Sequence, residues 1–124
     1  MKNFIIDPQI PTPIYEQIID QIKIGIQSRD LVPGDVLPPI RQLAMDLELN
    51  HNTVAKAYKV LEKEDLISTA RSKGTFIADS SFEILQENKL SEFEKSLKTI
   101  IKEMKTSGFN LKEINQIIER AYGK

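Results

Sequence analysis

The chain has 124 residues, of which 40% are hydrophobic and 28% charged, with a formal net charge of −1 and no cysteine. This length accommodates one ordinary domain, or a small domain with an appendage that needs a partner to bury its apolar surface. The missing cysteines exclude disulfides and thiolate chemistry, and a single histidine argues against a transition-metal site. No apolar run reaches the length of a membrane span and the N-terminus lacks a signal-peptide pattern, so we expect a cytoplasmic protein that makes no membrane contact.

Charge is spread almost evenly along the chain. Residues 1–40 carry 3 basic and 5 acidic side chains, residues 41–78 carry 6 and 5, and residues 79–124 carry 8 and 8. Those sums of −2, +1 and 0 do not indicate a nucleic-acid partner, since many domains that bind one are strongly basic. Any contact with a polyanion must therefore depend on where a few lysine and arginine side chains point.

The first helix is predicted from start signals at Thr12 and Pro13. Threonine is a capping residue type, and proline suits the first helical position. Isoleucines then recur at helical spacing up to about Arg29, which gives this helix one buried face. A turn follows, and residues 36–37 are long enough for a short edge strand before two prolines.

Two further helices are predicted close together. The second begins near Pro39, without the usual capping residue, and ends near residues 48–49 after about two to three turns. Asn50 then caps a third helix that runs to about Asp65. Their close spacing, with a short turn between them, is typical of a helix-turn-helix.

A hairpin follows the third helix. Residues 66–69 and 75–78 are predicted strands, joined by a basic turn in which Gly74 supplies a positive φ angle. Three helices and a hairpin close one compact domain, which we assign to residues 1–78 as a winged helix-turn-helix. The fold class is therefore mainly α with a small β-hairpin.

The C-terminal part, residues 79–124, is predicted to be a two-helix hairpin. A stripe of apolar side chains predicts a long helix that starts near Ser80. Ser91 and Glu94 form a possible second capping box, so the helix could instead begin or kink there. The residues alone do not choose between these two starts.

The last helix is predicted from Asn110 and Glu113, which together form a capping signal after a glycine. A two-helix hairpin of this size cannot enclose its own core. We therefore expect residues 80–122 to pack on a second copy of the chain, as a homodimer, or on the first domain.

The third helix has two faces of different chemistry. At 100° per residue, apolar side chains between Val54 and Leu61 cluster on one side. The opposite side carries one amide and three lysines, namely Asn52, Lys56, Lys59 and Lys63. An amide reads base edges, lysines meet flanking phosphates, and the helix N-terminus adds unpaired N–H groups and a positive dipole. This pattern predicts a recognition helix for the major groove of double-stranded DNA.

An ordinary solvated face is the alternative for this helix. Its lysines would then pair in part with Glu48, Glu62 or Glu64, and for an isolated helix that arrangement is the commoner one. The order of a short helix, a turn, this helix and a basic hairpin tip favours DNA binding instead.

Five short motifs follow one another along residues 12–78. They are Pro13-Ile14-Tyr15-Glu16-Gln17-Ile18, Pro33-Gly34-Asp35-Val36-Leu37-Pro38, Arg41-Gln42-Leu43-Ala44, Asn50-His51-Asn52-Thr53-Val54-Ala55-Lys56-Ala57-Tyr58 and Lys73-Gly74-Thr75-Phe76-Ile77. Together they closely resemble the GntR family of bacterial transcription regulators. The asparagine-rich start of the third helix and a C-terminal part of about 45 residues are most similar to the YtrA-like subfamily, whose members carry a two-helix dimerisation segment in place of a large effector domain.

This resemblance implies DNA contacts from the second helix, the third helix and the wing. The residues are Arg41, then Asn50, His51, Asn52, Thr53 and Lys56, and in the wing Lys73, Gly74 and Thr75. The outward face of the third helix adds Lys59, and the wing tip adds Arg71. Plainer roles are the alternatives: Arg41 pairing with Asp46, Asn50 serving as a cap alone, His51 and Thr53 being merely exposed, and Gly74 being conformational.

We therefore expect a DNA-binding transcriptional regulator, a homodimeric repressor at a pseudo-palindromic operator in double-stranded DNA. A winged-helix adaptor that binds protein without DNA is the alternative. No constellation of nucleophile, base and orienting group is found, so we expect no enzyme. The residues indicate no cofactor and no metal, and they identify no effector ligand.

Overall fold

The structure is a computed structural model that describes residues 4–123. Its elements are α1 Ile14–Gln27, α2 Ile40–Leu47, α3 His51–Lys63, β1 Ile67–Ala70, β2 Gly74–Ile77, α4 Ser81–Thr106 and α5 Leu111–Tyr122. This order confirms the predicted fold class, a mainly helical winged helix-turn-helix followed by two helices. The ends of the predicted domains, residues 1–3 and residue 124, lie outside the described residues.

The core of the winged part is built from the apolar faces of the first three helices. α1 fully buries Ile18, Ile22 and Ile26, as the isoleucine spacing predicts. The buried side chains of α2 and α3 are Leu43, Ala44, Val54, Ala57, Tyr58 and Leu61. Both α1 and α2 pack against α3, so the third helix is supported along its apolar side.

α1 starts one residue later than predicted, and the prediction that Thr12 caps it is wrong. Pro13 takes the N-cap position, its carbonyl accepts the Gln17 backbone N–H at 3.1 Å, and no side chain caps the helix. Thr12 lies one residue before the N-cap position, and its carbonyl accepts a hydrogen bond from Gln17 Nε2 at 3.0 Å. α2 begins in the same way, after Pro39 and without a side-chain cap.

Two glutamines of α1 tie the preceding segment to the helix. The side-chain amide of Gln17 accepts the Asp7 backbone N–H and donates to the Asp7 carbonyl, both at 2.9 Å. One turn later, the Gln21 amide bridges the N–H and carbonyl of Ile5 in the same way. Each amide thereby satisfies both polar groups of a backbone unit that lies outside any helix or strand.

The wing is an antiparallel hairpin of β1 and β2. β1 lies one residue later than predicted and β2 one residue earlier. The segment before α2 adds a third, very short strand, because Val36 forms a bridge with Phe76 and the Leu37 N–H donates to the Thr75 carbonyl at 2.8 Å. The predicted edge strand is therefore confirmed as a single bridge, and β2 lies between it and β1.

α4 is one continuous helix from Ser81 to Thr106. This decides between the two predicted starts in favour of the one near Ser80, and Ser91 lies within the helix. The first turns belong to the core of the winged part, since Ser81 and Leu85 are buried. Neither α4 nor any other described helix is long and apolar enough to cross a membrane.

α5 begins with the predicted capping box. Asn110 Oδ1 accepts the Glu113 N–H, and Glu113 Oε1 accepts the Asn110 N–H, each at 2.9 Å. By internal contacts the chain divides into two compact units, one ending at Gln86 and the other beginning at Glu87. That division lies inside α4, whereas the division by function, between residues 78 and 79, stays a prediction.

Candidate nucleic-acid interface

Asn50 organises the N-terminus of α3. Its side-chain oxygen accepts the Asn52 backbone N–H at 2.8 Å, and its backbone is extended, as an N-cap requires. The capping role that the sequence predicts is confirmed. The side-chain NH₂ group of Asn50 has no hydrogen-bond partner among residues 4–123, and it stays available to a ligand.

The outward face of α3 is open to solvent. His51, Asn52, Lys56 and Lys59 are exposed, and Thr53 is half-buried. The helix ends at Lys63, two residues before the predicted end at about Asp65. The predicted two-faced helix is therefore present, with the amide and the lysines on the side away from the core.

Tyr58 fixes the apolar side of α3 to the turn before α2. Its side chain is 4% exposed, and its hydroxyl donates to the Pro38 carbonyl at 2.6 Å. Burial raises the pKa of this hydroxyl well above its ordinary value of 10.0, because a buried phenolate is poorly solvated. The bond joins residues 20 apart in sequence and holds α3 against the turn before α2.

Lys56 is not a freely solvated lysine. Its ammonium nitrogen lies 4.0 Å from the centroid of the Tyr15 ring, which is a cation–π contact between α3 and the first turn of α1. The Tyr15 hydroxyl donates to the Glu16 carboxylate at 3.3 Å. An ammonium group over a ring keeps its N–H donors, so Lys56 in this position remains able to meet a phosphate.

The acidic residues near α3 do not neutralise its outward lysines. Glu64 instead pairs with Lys23 of α1 at 3.0 Å. The other ion pair in the described part of the chain joins Lys98 to Glu94 within α4. The alternative of a face whose lysines pair with neighbouring glutamates is therefore not realised.

Arg41 lies exposed in the first turn of α2. Its proposed alternative partner, Asp46, accepts a hydrogen bond from Gln42 Nε2 at 2.8 Å. Neither of the ion pairs within residues 4–123 includes Arg41. The guanidinium is therefore presented to solvent beside the start of α2.

The tip of the wing exposes Arg71 and Lys73. The Lys73 N–H closes the turn by donating to the Ala70 carbonyl at 3.1 Å. Gly74 has a φ of +75°, and an added Cβ would meet nothing within 4 Å, so the backbone angle and not space favours glycine there. Thr75 is half-buried, and its hydroxyl lies 3.3 Å from that of the threonine opposite.

The predicted contact residues thus occupy three places in one compact unit: the start of α2, the outward face of α3 as far as Lys59, and the wing tip. Their contact with DNA stays a prediction. Tyr15 is not among the residues that the sequence identifies, although it touches Lys56. No periodicity within a single helix indicates such a contact, because the two side chains come from different helices.

Comparison with known proteins assigns this arrangement to a family. The family described as "Bacterial regulatory proteins, gntR family" matches residues 14–77. The HTH-type transcriptional repressor YtrA of Bacillus subtilis is 41% identical over 92% of this chain and 88% of its own length. A solved transcriptional regulator from Oenococcus oeni is 32% identical, with a TM-score of 0.71, and the match covers 94% of this chain and 97% of that one. YtrA from Sulfolobus acidocaldarius, a GntR-family transcription factor, is 35% identical, with a TM-score of 0.59 and coverage of 74% and 97%. The chain belongs to the GntR family of bacterial regulatory proteins and to its YtrA-like subfamily.

Proposed function

We propose that this DNA-binding transcriptional regulator acts as a homodimeric repressor that binds a pseudo-palindromic operator in double-stranded DNA. The observation that carries the proposal is the outward face of α3, where Asn52, Lys56 and Lys59 are exposed while the opposite face is buried. Because α1 and α2 support the helix from its apolar side, this polar face is what the winged part offers to a major groove.

In this proposal the residues at the start of α3 contact the DNA bases and so recognise the operator sequence. The Asn52 side chain offers a donor and an acceptor side by side, which matches the edge of an adenine. His51 and Thr53 flank it in the first helical turn, and Asn50 keeps its capping bond while its NH₂ group faces the groove. These residues would set which base pairs each half-site contains.

The cationic residues around the helix hold the DNA backbone in the same proposal. Arg41, Lys56 and Lys59 supply phosphate contacts from α2 and α3, which orient the helix without reading sequence. The wing contributes Arg71 and Lys73. At the wing tip, the missing side chain of Gly74 and the nearby Thr75 hydroxyl permit a close approach to the flanking minor groove.

We further propose that residues 1–78 bind DNA and that residues 79–124 dimerise, through residues 80–122. α4 leaves Leu90, Phe93 and Leu97 at 65%, 66% and 48% exposure. A row of large apolar side chains in water favours a partner with a matching surface. Two copies related by a twofold axis would present two recognition helices to two half-sites.

Replacing Leu97 with alanine tests the dimer. Full burial of a leucine stabilises by about 1.5–3 kcal/mol, and roughly half of Leu97 is still exposed, at 48%. Two copies face one interface, so Leu97→Ala should cost about 1.5–3 kcal/mol and raise the dimer dissociation constant about ten- to hundredfold. Sedimentation measures this constant, with Lys95→Ala, on the opposite side of α4, as the control. An unchanged constant would place dimerisation elsewhere.

The repressor part of the proposal rests on the Bacillus subtilis relative, which is named a transcriptional repressor. A protein that acts on chromosomal promoters would work in the cytoplasm. The adaptor alternative finds no support among the relatives described above, which are all transcriptional regulators or transcription factors.

DNA selection followed by titration tests the proposed interface. The wild-type protein first selects duplexes from a random-sequence pool, which yields the half-site and its spacing. Asn52→Ala should then weaken binding of the selected duplex by about 1–3 kcal/mol and relax the preference at one base pair. Lys56→Ala and Lys73→Ala should each lower the salt slope of log K by about 0.9, because one phosphate contact is lost.

The matched control for this titration is Lys95→Ala, an exposed lysine of α4 outside the proposed interface. It should leave both the affinity and the salt slope unchanged. Affinities and slopes for Asn52→Ala, Lys56→Ala and Lys73→Ala that equal those of this control would refute the proposed interface and restore the adaptor alternative.

A further inference from the structure

The ring of Tyr15 lies against Lys56, one of the lysines of the proposed interface. Its side chain is half-buried and packs against the hydrophobic core. It lies in the first turn of α1, which starts at Ile14, and its hydroxyl donates to the Glu16 carboxylate. The position of the ring is therefore set by the fold and does not depend on a ligand.

Lys56, by contrast, is an exposed side chain with a flexible four-carbon stem. A free lysine samples many rotamers, and ordering it on a phosphate costs side-chain entropy. In this structure the ammonium lies 4.0 Å from the Tyr15 ring centroid. A ring face attracts a cation, so part of that ordering is already present before DNA binds.

Within the described part of the chain, the other lysines of the proposed interface, in α3 and in the wing, have no cation–π contact as short as that of Lys56. Among residues 4–123 the cation–π contacts of lysines are those of Lys56 and of Lys73, whose ammonium lies 5.8 Å from the Phe76 ring centroid. The longer distance is close to the limit of about 6 Å for this interaction. Lys56 is therefore the outward lysine that the fold holds most firmly.

We propose that Tyr15 is a positioning residue for DNA binding, whose ring holds the Lys56 ammonium beside the outward face of α3 so that it meets a phosphate already ordered. This inference rests on the proposed role of α3 as the recognition helix. Tyr15 acts through Lys56, and its own hydroxyl is not required. The opposite effect, in which the ring keeps the lysine away from DNA, predicts the opposite sign in the same experiment.

A double-mutant cycle on the duplex that the wild-type protein selects from random DNA tests the proposal. Tyr15→Leu removes the ring but keeps an apolar side chain against the core. It should weaken binding about three- to fivefold, or about 0.7–1 kcal/mol at 1.4 kcal/mol per factor of ten, with an unchanged salt slope. Lys56→Met should lower the salt slope by about 0.9. In the Lys56→Met background, Tyr15→Leu should have no further effect.

Tyr15→Phe is the conservative control. It keeps the ring and removes the hydroxyl, so its affinity should stay close to that of the wild type. An equal loss in Tyr15→Phe and Tyr15→Leu would assign the effect to the hydroxyl and overturn the proposal. Tighter or unchanged binding by Tyr15→Leu, or a full effect of Tyr15→Leu without Lys56, would overturn it as well.

A spectroscopic measurement keeps the test independent of any folding defect in Tyr15→Leu. In the wild-type protein the ε-methylene protons of Lys56 should be shifted upfield by the Tyr15 ring, and they should stay shifted when the selected duplex binds. Loss of that shift on binding would show that the ring releases the lysine. An unchanged affinity and salt slope in Lys56→Met would refute the proposed role of α3, and the role of Tyr15 with it. Weaker binding by Lys56→Met together with unchanged binding by Tyr15→Leu would refute the role of Tyr15 alone.

Discussion

The hydroxyl of Tyr58 provides a quantitative test of how α3 is anchored. Tyr58→Phe removes the donor that lies 2.6 Å from the Pro38 carbonyl and leaves this half-buried carbonyl without its partner. Losing such a bond costs about 1–2 kcal/mol in the free energy of unfolding. At about pH 8 we therefore expect the wild type to be more stable than Tyr58→Phe by that amount.

Alkaline pH should shrink this difference in stability. Because burial raises the pKa of the folded Tyr58 hydroxyl, the unfolded chain loses this proton first, above the ordinary value of 10.0. The stability that Tyr58 contributes is therefore fully present below about pH 10 and is lost as the pH rises toward the folded pKa. At about pH 11 ionisation of the unfolded chain removes about 1.4 kcal/mol from the wild type and nothing from Tyr58→Phe.

Urea denaturation at both pH values measures the difference in free energy of unfolding between the wild type and Tyr58→Phe. Protein concentration is held constant, because the proposed dimerisation would link stability to concentration. Lysine deprotonation affects both proteins alike, so the difference between them isolates the tyrosine. A stability gap that is absent near pH 8, or that is undiminished near pH 11, would refute the reasoning that this buried hydroxyl anchors α3.

Three further substitutions test local features. Asn50→Ala should lower the free energy of unfolding by about 1 kcal/mol, whereas Asn50→Asp should retain the cap but weaken DNA binding in a titration by its negative charge. Gly74→Ala should cost about 1–2 kcal/mol in thermal unfolding from its φ of +75°, and an unaltered melting temperature would contradict the turn geometry. Gly25→Ala should destabilise by about 1–3 kcal/mol, because its Cβ would lie 2.8 Å from Leu31 Cδ1; wild-type stability in urea would show that Leu31 moves aside freely.

Capping shows which parts of the fold are predictable from the sequence. The caps at Asn50 and Asn110 are confirmed, because a cap is formed by residues two or three apart in the sequence. At α1 the same reasoning fails. Thr12 and Pro13 are both acceptable start signals, but the helix begins after Pro13, and the Thr12 carbonyl accepts a hydrogen bond from the side chain of Gln17, five residues later.

The candidate site also has features that the sequence predicts and features that it does not. Helical periodicity correctly separates the buried face of α3 from the face with Asn52 and Lys56. It does not identify what a side chain touches on another element. Tyr15 beneath Lys56 and the Pro38 carbonyl beneath Tyr58 depend on how helices pack, and that packing is a property of the whole core.

A chain with a net charge of −1 binds a polyanion only if its positive groups are concentrated at the contact. The proposed interface offers five cationic side chains per copy, namely Arg41, Lys56, Lys59, Arg71 and Lys73. With one phosphate neutralised by each, a single copy reaches a salt slope of at most about −4.5 and a dimer about −9. The exposed apolar side chains of α4 would hold two copies together in the proposed dimer. Each copy would then bring its small basic surface to the same DNA. In the proposed dimer, the second copy would double the number of cationic side chains that face the DNA.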